Sequence, residues 1–337
     1  MDSLLANPLV QAVVLPLWWP HWLLLRLRNA AYDHRLLPIR RLPAPVIAVG
    51  NLSMGGTGKT PTVALLAELV TELGYRPAVI SRGYRANADG RNEEAMLTGV
   101  ATFCHPDRLR AGRQALAAGH DLLIADDLFQ HRRLHRDLDL VLIDATRPWG
   151  RPDGRRGAVL PRGLLREPMS GLGRSDALLI TRSDQVPAQR LTLLRRQCLA
   201  FSKPVWSARH RAVQLRAMQG HRSVASKHLA GQTVHLLSGI GNPNAFERSC
   251  RDCGMLVRHH HRFPDHHHFN QTDIDGIAGQ LDGATVVCTS KDAVKLAALD
   301  LPAPARWWIL DVRMTLSSAD TTALQELLRS RLERWRA

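Results

Sequence analysis

Six consecutive residues, Gly55-Gly56-Thr57-Gly58-Lys59-Thr60, carry the plainest chemistry in this sequence. Glycines let successive backbone N–H groups close around phosphate oxygens, and the N-terminus of a following helix adds positive potential. In that setting Lys59 reaches the β- and γ-phosphates, and Thr60 offers its hydroxyl to Mg²⁺. Pro61 falls in the first helical turn, where a missing N–H costs little. The strict form of this loop has glycine five residues before Gly58; this chain has Ser53, and Gly55 and Gly56 compensate. A Gly-rich turn without a ligand is the plainer alternative. Only five of the 45 basic residues are lysines, however, so a lysine at this position is not background.

Carboxylates come next. The run LLIA (122–125) ends in Asp126-Asp127, and LVLI (140–143) ends in Asp144. An apolar run ending in Asp is where P-loop proteins keep a second Mg²⁺-organising group. The pair Asp126/Asp127 is favoured, because two carboxylates give a hard cation two oxygen donors. Gln130 and His131 stand close behind it. Asp144 alone reads equally well as a strand-end cap. Thr181-Arg182-Ser183-Asp184 faintly resembles a base-reading motif of GTP-binding proteins, with Arg where that motif has Lys.

The elements that must position these groups are legible around them. PVIAVG (45–50) suits a buried parallel strand, and TVALLAELVTEL has helical periodicity up to Gly74, so the order is strand, loop, helix. The runs PAVI (77–80), LLIA, LVLI and ALLI (177–180) each end in polar residues, with helix-like stretches such as 107–119 between several of them. Such alternation predicts a doubly wound, mostly parallel α/β sheet, which binds ligands at the carboxyl ends of its strands. TVHLLSGI (233–240), ATVVCTS (284–290) and RWWILDV (306–312) predict a second, smaller α/β lobe. The expected division is 1–41, an N-terminal helical segment; 42–230, the nucleotide-binding core; and 231–337, the second lobe.

With 337 residues and 45% hydrophobic content the chain can build full-sized cores. Its net charge of +15 points to acidic partners, yet no nucleic-acid recognition motif accompanies it. Five cysteines exclude a disulfide scaffold and fit a reducing compartment. Residues 9–25, LVQAVVLPLWWPHWLLL, are apolar but interrupted by Gln11, Pro16, Pro20 and His21. Three tryptophans (18, 19, 22) and a following series of arginines (26, 28, 35, 40, 41) predict a helix lying in the interface of one leaflet. A buried helix capping a soluble domain is the alternative. In the carboxyl half, histidines at 259–261 and 266–268, with Cys250 and Cys253, raise a zinc reading. No second Cys pair follows at zinc-ribbon spacing, so a basic loop near phosphates is preferred.

In this order, VGNLSMGGTGKTP (49–61), ISRGY (80–84), DDLFQH (126–131), LPRGLLREP (160–168), GIGNP (239–243), FPDHH (263–267) and TSKDAVK (289–295) resemble the tetraacyldisaccharide 4′-kinases over residues 8–300. The resemblance implies a P-loop core, a smaller second lobe and an N-terminal membrane-associated helix. It implies transfer of the ATP γ-phosphate to the 4′-hydroxyl of a lipid A disaccharide 1-phosphate at the cytoplasmic face of the inner membrane. It places the family's P-loop residues on Lys59 and Thr60, its paired Asp on Asp126 and Asp127, and its Gln-His pair on Gln130 and His131. It places an Asp–His dyad that assists the acceptor hydroxyl on Glu93 and His266. Two departures stand out: Glu93 replaces Asp, and Leu128 replaces a glycine, where a positive φ would disturb the loop. A P-loop metal chaperone or GTPase-like binding protein, or a weakened homologue of the kinase, are the alternatives. No obligate protein partner is evident.

Overall fold

The computed structural model describes residues 8–83, 99–151, 157–265, 267–281 and 283–335. Glu93 and His266 lie outside them. The described residues form two compact units, one drawn from 8–83, 99–208 and 316–335, the other from 209–315.

In the first unit, β1 (Val46–Asn51), β2 (Pro77–Ser81), β3 (Thr102–Cys104), β4 (Leu122–Asp126), β5 (Leu138–Asp144), β6 (Ala177–Thr181) and the start of β7 (Val205–Ala217) form a sheet. Its order is β3-β2-β4-β1-β5-β6-β7, and the six pairings are all parallel. β1 is central, with β4 on one side and β5 on the other, so the strands ending in Asp126 and Asp144 both flank it. That placement explains why the two carboxylate sites compete in the sequence.

Strands buried on both faces read as continuous apolar runs. One face packs Val46, Ala48, Ala78, Ile80, Leu123 and Leu128 with Leu109 and Ala115 of the helix α3 (Arg108–Ala117). The other packs Leu52, Phe129, Val141, Ile143, Leu178 and Ile180 with Leu194 and Cys198 of the helix α4 (Ala188–Leu199). Core on both faces is the doubly wound arrangement expected.

The N-terminal helix α1 (Pro8–Asp33) carries Pro16 and Pro20 in its interior. Trp18, Trp22 and Leu25 recur at helical spacing and pack against the second of these faces. Trp19, Leu24 and Leu27, on the opposite side, are exposed. Among the described residues no helix is long and apolar enough to cross a membrane.

The second unit places β10 (Leu256–Arg262), β9 (Thr233–Ser238), β11 (Thr285–Thr289), β12 (Trp307–Leu316) and the end of β7 side by side. The pairings of β10, β9, β11 and β12 are parallel, and β8 (Ser223–Ala225) adds to β7 antiparallel. Its helices are α5 (Pro243–Asp252), α6 (Gln271–Leu281) and α7 (Ser290–Leu296).

The last helix, α8 (Ser318–Leu332), belongs to the first unit. The Tyr75 hydroxyl donates to its Leu332 carbonyl (3.2 Å), Arg331 pairs with Asp176 (2.7 Å), and the Asp320 carboxylate accepts from the Ser207 N–H (3.2 Å). The sequence reading draws its boundary at 230 and leaves residues 316–337 with the second lobe. The units instead divide within β7 and at the end of β12, because each strand continues without a turn or linker to mark the change.

Candidate active site

β1 ends in Gly50-Asn51. A Cβ on Gly50 would stand 2.4 Å from the Cβ of Phe129, so only glycine lets the loop after β4 approach β1 this closely. The phosphate loop then runs to the helix α2 (Lys59–Glu72). Gly58 caps that helix at φ 92°, a left-handed conformation that glycine adopts without strain. Ser53, the departure from the strict loop pattern, needs no glycine. Its φ is not positive, and it pairs in an antiparallel bridge with Leu165.

The loop is braced from two sides. From β6, the Thr181 hydroxyl donates to the Thr57 carbonyl (2.8 Å), and an Arg182 guanidinium nitrogen donates to the Gly56 carbonyl (2.9 Å). In a trans peptide the next N–H points opposite to the carbonyl, so these bonds turn the N–H groups of Thr57 and Gly58 the other way. Arg182 is itself held by Asp144, whose other oxygen accepts from the Thr146 N–H and hydroxyl (3.0 and 2.7 Å). Asp144 is thus a strand-end cap and an anchor for Arg182, and Thr181 and Arg182 of the TRSD segment hold the loop's backbone. From the other side, the Met54 N–H bonds the Leu164 carbonyl and the Arg166 N–H bonds the Leu52 carbonyl, each at 2.7 Å. This short pairing places Arg166 beside the loop.

Lys59 donates to Asn51 Oδ1 (3.4 Å) and lies 3.6 Å from Asp127 Oδ1. One nitrogen of Arg166 bridges both Asp127 oxygens at 2.6 and 2.8 Å. Burial pushes the Asp127 carboxyl up, but Lys59 and Arg166 together outweigh it and hold it below the ordinary range, so it is ionised at neutral pH. Its backbone lies at φ 52°. Asp126, its neighbour, is buried at the end of β4. Thr60 is buried in the first turn of α2.

Leu128 corrects an expectation. The left-handed residue of this turn is Asp127, one position earlier, and Leu128 is fully buried in the core beneath the sheet. A side chain at 128 therefore fills the core without disturbing the loop.

Gln130 lies behind the loop, where its amide donates to the Asn51 carbonyl (2.8 Å) and to Glu167 Oε1 (2.9 Å). Burial, with Arg108 and Arg136 nearby, holds the His131 imidazole below its usual range and neutral. Asn51, Thr181, Arg182 and Glu167 were not singled out as site residues by the sequence reading. Their signal was positional, each ending or following a run that abuts the loop.

The donor set fits a nucleotide and a hard cation. Thr57 Oγ1 is buried with no hydrogen-bond partner among the described residues, as expected of a hydroxyl in a phosphate cradle. Asp126 and Asp127 supply oxygen donors, and among the described residues no group of three or more His, Cys, Asp or Glu is placed to hold a metal alone. Mg²⁺ suits such a site, since it takes one or two carboxylates and completes its shell with phosphate and water. Cys250 and Cys253 pack in the second unit's core with Phe246 and Met255. Burial pushes both thiols up, keeping them protonated and unsuited as ligands.

Comparison with known proteins agrees with this arrangement. The tetraacyldisaccharide-1-P 4′-kinase family matches residues 10–333. The tetraacyldisaccharide 4′-kinase of Syntrophus aciditrophicus is 36% identical over 323 residues, covering 86% of this chain and 85% of the relative. That of Shewanella amazonensis is 34% identical over 338 residues, covering 94% and 91%. The crystal structure of LpxK from Aquifex aeolicus in complex with ATP is 26% identical, with a TM-score of 0.73, covering 96% of this chain and 99% of that one. A phosphate loop braced on both sides, a lysine poised between Asn51 and an ionised aspartate, and a match along nearly the whole length have one reading: this chain belongs to the tetraacyldisaccharide-1-P 4′-kinase family.

Proposed function

We propose that this chain transfers the γ-phosphoryl group of ATP to the 4′-hydroxyl of a tetraacyldisaccharide 1-phosphate, the phosphorylation step that completes the bis-phosphorylated core of lipid A. The observation that carries the reading is Lys59, held at the mouth of α2 by Asn51 and Asp127. Phosphoryl transfer needs positioning and charge neutralisation more than covalent chemistry. The N–H groups of Gly55–Thr60 cradle the phosphates, and Lys59 carries the positive charge to the β- and γ-oxygens. Thr60 with Asp126 and Asp127 would hold Mg²⁺, which would supply neutralisation of the charge developing on the phosphoryl group. Gln130 and Thr181–Arg182 keep the cradle in shape. Arg166, paired with Asp127 beside the loop, would face a phosphate oxygen there. The resemblance assigns the acceptor hydroxyl's proton to Glu93 and His266.

The outer side of α1, with Trp19, Leu24 and Leu27 exposed and Arg26 over the Trp22 ring at 4.9 Å, suits the headgroup boundary of an anionic bilayer. The reading is therefore a peripheral enzyme that meets its amphipathic acceptor on the cytoplasmic face of the inner membrane. Thin-layer analysis of labelled phosphate moving from ATP to a tetraacyl disaccharide 1-phosphate tests it. The chain should transfer label, and Lys59→Ala should abolish transfer. Near-normal turnover by that variant would refute the assignment.

A further inference from the structure

Behind the phosphate loop lies a carboxylate that faces the protein interior. The Glu167 side chain is wholly buried. Its Oε1 accepts from Gln130 (2.9 Å), and its Oε2 accepts from Arg174 (2.6 Å) and from the Asn29 amide (3.4 Å). These donors come from three separate places: the loop after β4, the turn Met169–Arg174, and α1. A buried carboxylate is costly unless its oxygens are satisfied, so the arrangement holds best when all three are in place.

The network continues to the lysine. Gln130 has two amide hydrogens; one goes to Glu167 and the other to the Asn51 carbonyl (2.8 Å). Asn51 in turn accepts from Lys59 (3.4 Å) and donates to the Ser53 carbonyl (2.5 Å). α1 also grips Gln130 directly, through an Arg28 donor to its carbonyl (3.1 Å). Arg132 fixes that part of the helix by donating to the Asn29 carbonyl (2.9 Å) and pairing with Asp33 (2.7 Å).

We propose that Glu167 is a positioning residue that couples the seating of α1 to the placement of Lys59. Asn29 and Arg28 hold Glu167 and Gln130; these hold Asn51; Asn51 holds the lysine. The inference rests on the kinase reading and adds regulation to its site. Coupling of this kind is reciprocal. A nucleotide that fixes Lys59 steadies α1, and a surface that α1 engages tightens the nucleotide site. The helix facing the acceptor's environment thereby communicates with the loop that holds the donor.

The test uses the full chain with a non-hydrolysable ATP analogue and Mg²⁺. Hydrogen exchange of the amides in residues 18–33 is followed with and without the analogue, and the analogue's Kd is measured, for wild type, Asn29→Ala and Glu167→Gln. In wild type the analogue should slow exchange in α1. Both variants should lose that slowing and bind the analogue about fivefold more weakly, the low end of ordinary coupling. Should Glu167→Gln fail to fold, Asn29→Ala decides alone, since its side chain lies at the edge of the network. Analogue binding to wild type that leaves α1 exchange unchanged, or the same slowing in Asn29→Ala, overturns the coupling and leaves the kinase reading intact. Failure of wild type to bind the analogue overturns both.

Discussion

Asp127 holds two cations, one nitrogen of Arg166 across both its oxygens and Lys59 at 3.6 Å. In the proposed function both cations meet phosphate, and the carboxylate keeps them in place and neutralised. Asp127→Asn should therefore divide two measurements. Nucleotide without Mg²⁺ should bind more tightly, because the cations lose their internal partner. Turnover with Mg²⁺ should fall about 100-fold, the scale of losing one preorganised electrostatic contact. Equal loss of both would place Asp127 outside the cation's reach. At the next position, Leu128→Gly would restore the glycine that the resemblance expects, yet it should cost about 4 kcal/mol in urea unfolding, as for other buried leucine truncations. Unchanged stability would mean that the leucine fills no space. These residue-scale facts were only partly legible. A glycine-rich loop followed by Lys and Thr announces its chemistry by composition. Which residue of the Asp126–Leu128 turn carries a positive φ depends on how β4 meets β1, and a single sequence does not show that.

Among elements, strand–loop–helix order and the polar ends of the apolar runs were readable, because parallel strands buried on both faces have an unmistakable composition. Less readable was which strand neighbours which. Asp126/Asp127 was favoured over Asp144 in sequence only because it is a pair, and the strands of both do flank β1. What separates them is Arg182, which engages Asp144 and arrives from β6. In the second unit, β9 and β10 bring together histidines that the sequence only lists. His235 stands opposite His259, and its Nδ1 lies 3.2 Å from His261 Nε2. Burial, with His259, His235 and His260 around it, pushes the His261 imidazole down to about 4. Burial and Arg258 lower His235 as well. Both rings take up a proton more readily in the unfolded chain, whose histidines titrate near 6.5. Stability is then highest above that value, and falls as pH drops from about 6.5 towards 4. The protection factors of the β9 and β10 amides, taken relative to intrinsic exchange at each pH, should fall over that window, and His261→Asn should flatten the dependence. Identical profiles for the two proteins would remove His261 as the cause.

At the scale of the whole molecule, an excess of arginine on a chain of net charge +15 favours anionic surfaces, and α1 presents exposed apolar side chains opposite its docked side. Replacing Leu24 and Leu27 together by Ser should weaken binding to vesicles containing anionic phospholipid several-fold while leaving the melting temperature within a few degrees, because neither side chain is part of the core. Unaltered vesicle binding would remove these two side chains as a membrane contact. The helix itself and its tryptophans were legible. Its division into a docked side and an open side was not, since Trp18 and Trp19 look alike until the sheet beneath one of them is known.

The return of α8 to the first unit has a consequence for how the protein is made. Tyr75 waits for Leu332, 257 positions later, and Asp176 waits for Arg331, 155 positions later. A ribosome emits the nucleotide-binding portion early, yet its final wall, α8, follows only after residues 209–315. The excursion through residues 209–315 can assemble in the interval, while the earlier portion stays incomplete until α8 has emerged. Removing residues 318–332 would therefore damage the part of the architecture that holds Tyr75 and Asp176, far back along the chain, and not the unit just before the deletion.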